Sequence, residues 1–423
     1  MNILMVGGGG REHALILALK KDKRVTKVFC APGNGGISRD AVCLDIKADD
    51  ISGIVGAAKE NHCDLVFVAP DDPLAAGMVD ALEKEGIRAF GPHADAAEIE
   101  SSKVFSKDLM KKYKIPTAGY EVFDDPSKAL EYIKDQGKYP AVIKADGLAL
   151  GKGVVIAENE QQASDALDSI MKDKVFGASG NKVVIEEFLE GPEVSVLSFT
   201  DGKCVKPMVS SMDHKRALND DKGLNTGGMG TVSPNPFYDE KTAQRCMDEI
   251  FIPTMNAMNK EGRTFKGCLY FGLMLTKDGP KVIEYNSRFG DPETQVVLPR
   301  LETSLLKIVD AVIDGTLSDL DIKWSGNACA CVVMASGGYP VKYEKNKEIF
   351  GLDTYGQIDA DDVTVYHAGT KYENGKFYTA GGRVLGVSAV GSDLDDALCK
   401  AYNGVAQISF EKMHYRTDIG AKR

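Results

Sequence analysis

The chain is poor in the features that would mark it for a membrane, an oxidising compartment or a nucleic acid. Its 423 residues contain no apolar run near the twenty that a bilayer-spanning helix needs. The short run in MNILMVGGGG has no basic leader before it. Nine cysteines are scattered without a CxxC pair, so they read as buried thiols of a reducing compartment. A formal charge of -11 leaves no excess of Lys and Arg to track a phosphodiester backbone, although a small anion needs only a local basic pocket. The six histidines form no HxH or HxxxH pair, which argues against zinc, and no GxSxG elbow offers a serine nucleophile. The expectation is a cytoplasmic, enzyme-sized protein whose 43% apolar content can bury two to four cores.

What is present is a rhythm of short apolar runs and helical patterns. Over residues 1–100 it predicts a parallel α/β domain, because strands separated by helices pair in parallel. A polar helical stretch over 95 to 114 supplies a linker, 101–119, that ends at Ile115-Pro116. Residues 120–190 form a small glycine-bounded unit suited to a lid, 191–325 a larger strand-rich subdomain, and 326–423 a mostly β domain with an Asn374-Gly375 hairpin turn and a helix from Asp393. The fold class is α/β with α+β, in several domains.

Several stretches carry chemistry. AVIKADGLALGKGVVI (141–156) is no Walker loop: three residues rather than four separate Gly147 from Gly151, and Lys152 is followed by glycine and a strand. Strand, glycine loop, strand is a flap that could close over phosphates with its amides, with Lys152 at the exposed tip and Lys144 inward only if an anion meets it. The opening GGGGREH fails the dinucleotide register, since Glu12 or His13 stands where a small residue is required. Gly9 and Gly10 still offer bare amides for a phosphate at a helix start. In VVIEEFLEGPEVSV, an apolar strand running into Glu186, Glu187 and Leu189 suits a planar base, and Glu193 could take ribose hydroxyls. In KVIEYNSRFGDPET, period-two geometry puts Glu284, Asn286 and Arg288 on one face and Ile283 with Tyr285 on the other. Two oxygen ligands beside a guanidinium match a magnesium nucleotide next to an oxyanion. SSMDHKRALNDDKGLNTGGMG is a charged, glycine-rich substrate loop or a disordered excursion.

Taken in order, these residues resemble the ATP-grasp ligases. GGREH, APGN, IPTA, KADGLALGKGV, EEFLEG, DHKR, NTGGMG, SRFGDPETQ, GGYP, HAGT and GGRVL are together similar to the phosphoribosylamine glycine ligase family within that group. The resemblance implies an ATP-grasp fold between an N-terminal parallel α/β domain and a C-terminal mostly β domain, with Mg2+ or Mn2+ and ATP. It implies that Lys103, Lys144 and Lys152 meet the phosphates, that Glu186 with the backbone of Glu187 and Leu189 reads adenine, that Glu193 binds ribose, and that Glu284 and Asn286 hold the metal. Gly9, Gly10, Asp71, Asp213, Lys215, Gly228 and Arg288 would bind substrate, with Arg288 and Lys144 catalytic.

The implied reaction joins glycine to 5-phosphoribosylamine through glycyl phosphate, in a monomer or weak dimer that binds neither nucleic acid nor membrane. Three positions depart from the family pattern. Asp71 replaces a glutamate, no carboxylate lies within 268–275, and the tail DIGAKR lacks a Gly-Trp. Two rivals are an ATP-grasp ligase that uses another acid and a nicotinamide dehydrogenase. Omitting substrates in turn would exclude the first, and absence of tight NADH binding the second.

Overall fold

The computed structural model describes residues 1–148 and 153–421. The first hundred residues fold around five parallel strands in the spatial order Val42–Cys43, Lys27–Pro32, Asn2–Gly7, Leu65–Val68, Ala89–Phe90. Past Asn2 and Lys27 at their starts, the runs of the longer strands are apolar and, but for Pro32, buried, as in a parallel sheet covered on both faces. The strand order reverses direction at Asn2–Gly7, so the topological switch point, where such sheets bind ligands, lies beyond its carboxyl end. Gly8 lies there against the Gly33 turn, where a β-carbon would stand 2.4 Å from the Gly33 carbonyl oxygen. The helix Gly10–Lys20 then starts with the Gly9 N–H donating to Glu12 Oε2 at 2.7 Å.

The polar helix expected over 95 to 114 is two helices, Ala94–Ser101 and Lys103–Tyr113. Ser102 breaks it: its backbone is extended and its hydroxyl accepts the Phe105 N–H at 3.1 Å, capping the second helix. The lid is a four-stranded antiparallel sheet ordered Tyr120–Phe123, Val183–Glu187, Ala141–Ala145, Val154–Ala157. The two strands of the flap therefore pair as read, and residues 149–152 of its tip, Lys152 among them, lie outside the described residues.

The larger sheet orders Val205–Pro207, Glu193–Thr200, Gly267–Thr276 and Gly279–Asn286, all antiparallel. Here the simple alternation fails. Gly272 pairs with Glu284 but Leu273 with Val282, so Ile283 is an unpaired bulge residue. Val282 and Tyr285 enter the core while Ile283 stays half-buried, which corrects the expectation that Ile283 packs beside Tyr285.

Two strands from the 191–325 segment, Met212–Asp213 and Gly230–Ser233, cross into the C-terminal sheet beside Ala328–Ser336, Arg383–Gly391 and Val363–His367. The loops between them are thereby anchored on the last domain. Asn374 and Gly375 both have positive φ (52° and 80°), as a tight hairpin turn between Thr370–Glu373 and Lys376–Thr379 requires. Among the described residues no helix is long and apolar enough to cross a membrane.

Candidate active site

The lid and the larger sheet meet at Lys144. Its side chain, 6% exposed, ends 2.9 Å from Glu186 Oε1 and donates to the Ile283 carbonyl at 3.1 Å. The bulge at Ile283 thus turns a main-chain oxygen toward the lid lysine. Lys107, which sequence reading missed, lies 2.8 Å from Glu186 Oε2 and donates to Thr117 Oγ1 at 2.8 Å. Glu186 Oε1 makes no aligned hydrogen bond despite its 2.9 Å approach to Lys144. The distance is decisive, and the contact is an ion pair. Burial brings the Lys107 ammonium down to about 8, with Glu186 opposing. Lys103 Nζ donates to the Gly147 carbonyl at 2.7 Å, and burial lowers its pKa against the pull of Glu284.

Glu186, the residue expected to read adenine, is therefore bound by two lysines. The Glu187 N–H already donates to Gly119 O at 2.9 Å, and its carboxylate pairs with Lys281 at 3.2 Å. Leu189 stands half-buried at the strand's exit beside Phe188, which is 39% exposed and offers an apolar face.

Glu284 and Asn286 lie on the same face of Gly279–Asn286. Burial raises the Glu284 pKa, but Lys215, Lys144, Lys103 and Arg288 outweigh it and hold the carboxyl at about 2. Lys215 Nζ bridges it to Glu193, at 3.5 and 3.4 Å. Asn286 Oδ1 accepts from Arg288 at 3.1 Å. An ionised carboxylate and an amide oxygen suit a hard cation whose other ligands are phosphate oxygens and water. Among the described residues no cluster of three His, Cys, Asp or Glu could hold a metal unaided.

Arg288 is held from the first domain's side. Glu100 Oε1 lies 3.1 Å from its guanidinium and Asp71 Oδ2 4.0 Å. The other Glu100 oxygen accepts the Ser287 N–H at 2.8 Å and the Ser287 hydroxyl at 2.7 Å. Arg288 Nε is buried with no hydrogen-bond partner, a donor available to an incoming oxyanion.

The two glycine loops converge on Asp291. A β-carbon on Gly9 would lie 3.2 Å from Asp291 Oδ2, and one on Gly10 2.6 Å from Gln295 Nε2. The Arg11 N–H donates to Asp291 Oδ2 at 3.3 Å. From the other side, a β-carbon on Gly228 (φ +114°) would stand 2.4 Å from Pro292 Cδ and 2.6 Å from Asp213 Oδ1. Burial and the neighbouring Glu293 raise the Asp213 carboxyl well above its usual range.

His214, the histidine of this loop, is structural: Nε2 accepts the Gly420 N–H at 3.0 Å, which leaves Nδ1–H to donate to Gly230 O at 3.1 Å. Glu100, Lys107, Asp291 and Glu293 were not singled out in the sequence. The signals that could have found them are the i, i+4 spacing of Lys103 and Lys107 on one helix face and, for Asp291 and Glu293, their place in the quoted SRFGDPETQ.

Three consecutive family models match the chain. They are described as phosphoribosylglycinamide synthetase N domain (residues 1–100), ATP-grasp (A) domain (101–294) and C domain (329–422). Phosphoribosylamine–glycine ligase of Caldanaerobacter subterraneus subsp. tengcongensis is 47% identical over 421 residues, covering all of both chains. That of Clostridium acetobutylicum is 47% identical over 424 residues with the same coverage. The crystal structure of the Thermotoga maritima phosphoribosylamine–glycine ligase superposes with a TM-score of 0.86 at 31% identity, over 99% of this chain and 100% of that one. The biotin carboxylase domain of Hydrogenobacter thermophilus 2-oxoglutarate carboxylase shares the fold at 16% identity. Its TM-score is 0.75, over 98% of this chain and 91% of that one.

Proposed function

The chain belongs to the phosphoribosylglycinamide synthetase family, and from that premise we propose that it joins glycine to 5-phosphoribosylamine at the expense of ATP, releasing glycinamide ribonucleotide, ADP and phosphate. The observation that carries the reading is the convergence of Lys103, Lys144, Lys215 and Arg288 on the single carboxylate of Glu284, between a lid sheet and a larger sheet. So much positive charge around one acid matches a polyphosphate and a carboxylate substrate together. The full-length identity to named relatives favours glycine over another acid as substrate.

A carboxylate is a poor acyl donor because an attacking amine would have to expel oxide. In the first step a glycine carboxyl oxygen attacks the γ-phosphorus and the bond to the ADP oxygen breaks, giving glycyl phosphate. Lys103 and Lys144 are positioned for the phosphates, and the free Nε of Arg288 for the reacting carboxyl oxygens. In the second step the amine nitrogen attacks the acyl carbon, the carbon–oxygen bond to phosphate breaks, and the nitrogen loses a proton to solvent or the departing phosphate.

When Mg2+ or Mn2+ is bound with the nucleotide, Glu284 and Asn286 would hold it, and it would neutralise charge on the triphosphate oxygens. Glu193, paired with Lys215 at 3.4 Å, is the proposed acceptor of ribose hydroxyls. The proposed place of the amine's phosphate is between the loop of Gly9 and Gly10 and the loop of Asp213 and Gly228, with Asp71 taking the sugar. The protein acts in the cytoplasm as a monomer or weak dimer.

ADP release measured with glycine, phosphoribosylamine and metal omitted in turn tests the reading, since each should be required. Hydroxylamine added in place of the amine should yield glycyl hydroxamate. Turnover without glycine would contradict it.

A further inference from the structure

The last domain has no part in the chemistry above, yet two of its motifs reach the site. Arg383 opens the strand Arg383–Gly391. Its Nη1 donates to the carbonyls of Gly227 and Asp291 at 2.7 Å each, and lies 3.5 Å from Gly228 O and from Asp291 Oδ1. One guanidinium thus ties the glycine loop at 226–230 to the Asp291 loop, which itself accepts Arg11 from the first domain. Tyr339 adds a second tie, its hydroxyl accepting the Gly227 N–H at 3.2 Å. That ring fits only because residue 382 is glycine, where a β-carbon would lie 2.3 Å from Tyr339 Cδ2.

We propose that Arg383, with Tyr339, is a positioning residue for the sugar-phosphate amine: the C-terminal domain shapes and charge-balances that half of the site and leaves the ATP half to the other domains. The inference rests on the function proposed above. Its physical basis is twofold. The main-chain groups on one side of Gly227 and Gly228 are engaged by the C-terminal domain, so the loop is held where Gly228 packs on Asp213 and Pro292, next to the Asp291 that Gly9 approaches. In addition, Arg383 Nη1 lies 3.5 Å from Asp291 Oδ1 and, with Arg11, offsets that carboxylate's charge, which eases the approach of a phosphorylated, anionic substrate. Among the described residues, the hydrogen bonds and ion pairs of Lys144 and Lys103 go to Glu186, Ile283 and Gly147, outside this assembly.

The test separates the two half-reactions in the full-length protein. Arg383→Gln and Tyr339→Phe are compared with wild type in two assays: glycyl hydroxamate formation from ATP, glycine and hydroxylamine, and ADP release against phosphoribosylamine concentration. Arg383→Gln should raise KM for phosphoribosylamine at least about tenfold while hydroxamate formation stays within about twofold. Tyr339→Phe, which removes one oxygen, should shift KM the same way by a smaller factor, and Arg383→Lys should recover part of the loss.

Equal losses in both assays would mean general damage and overturn the proposal. So would an unchanged KM in Arg383→Gln. A wild-type protein that forms no hydroxamate removes the underlying reading instead, whatever the variants do. Tyr339→Phe retains the ring and covers the case in which Arg383→Gln does not fold.

Discussion

Lys144 Nζ stands 2.9 Å from Glu186 Oε1, and both side chains are almost wholly buried. With Lys107 at 2.8 Å from the other oxygen, two buried ammonium groups share one carboxylate under the flap. Removing one partner of a buried ionic set typically costs about 3–5 kcal/mol because the remaining charge is stranded. Glu186→Ala should therefore lower the unfolding free energy by about that amount and weaken ATP binding as Lys144 loses its anchor. Lys107→Met should cost less, since Glu186 keeps Lys144. Urea denaturation and nucleotide titration of the two variants check the order, and a Glu186→Ala protein as stable as Lys107→Met contradicts it.

His367 gives a pH prediction. Its backbone N–H donates to His13 Nδ1 at 2.9 Å and its ring meets Gly356 O at 2.8 Å and Thr370 Oγ1 at 3.0 Å, joining the first domain to the last. Burial, then the nearby His13 ring, bring the imidazole down to about 3 from an ordinary value near 6.5. The unfolded chain therefore takes up this proton first as pH falls, so the folded state loses stability from about pH 6.5 downward until about pH 3. His367→Gln should flatten the fall in urea midpoint between about pH 7 and 4.5 relative to wild type. Identical slopes would show that other groups control acid stability.

Arg288 is expected to act in the barrier and little in the fold. Glu100 loses one partner in Arg288→Ala, but it keeps both hydrogen bonds from Ser287, and burial already pushes its carboxyl above the usual range. Loss of a preorganised donor at a developing oxyanion costs about 2.7–4 kcal/mol, so turnover should fall at least about a hundredfold with the thermal midpoint nearly kept. Near-normal turnover in this variant would take Arg288 out of the chemistry.

Much of this site was legible because its signals are local. A period-two strand announced Glu284 and Asn286, a failed Walker spacing announced the flap, and a lysine in an apolar strand demanded an acid nearby. The bulge at Ile283 escaped because it depends on how Gly279–Asn286 pairs with its neighbour, which no residue of KVIEYN betrays.

Glu100 escaped for a different reason. Its partner Ser287 is 187 residues away, and within its own helix it reads as one more solvated acid. Arg383 meets Gly227 across 156 residues. The motif GGRVL was visible as a string, but its reach into the site depended on strands of two segments sharing one sheet. His214 shows the converse: a histidine beside Asp, Lys and Arg in sequence has both ring nitrogens on main-chain groups.

Gly228 offers the sharpest steric test. Its φ of +114° is a conformation that side-chain-bearing residues rarely adopt, and a β-carbon there would collide with the Pro292 ring at 2.4 Å and the Asp213 carboxylate at 2.6 Å. Neither neighbour can yield cheaply, because the Asp291 carbonyl is fastened to Arg383 and Asp213 Oδ1 accepts the His214 N–H at 2.7 Å. The loop itself must shift, and with it the wall facing the first domain's glycines. A displacement of about an ångström at a positioning element can cost about a hundredfold in rate. Gly228→Ala should therefore lose about that factor in phosphoribosylamine-dependent ADP release, while ATP affinity, which we propose rests on Lys103 and Lys144, stays near wild type. If ATP affinity falls in step, the two halves of the site are mechanically one and the division drawn between them is wrong.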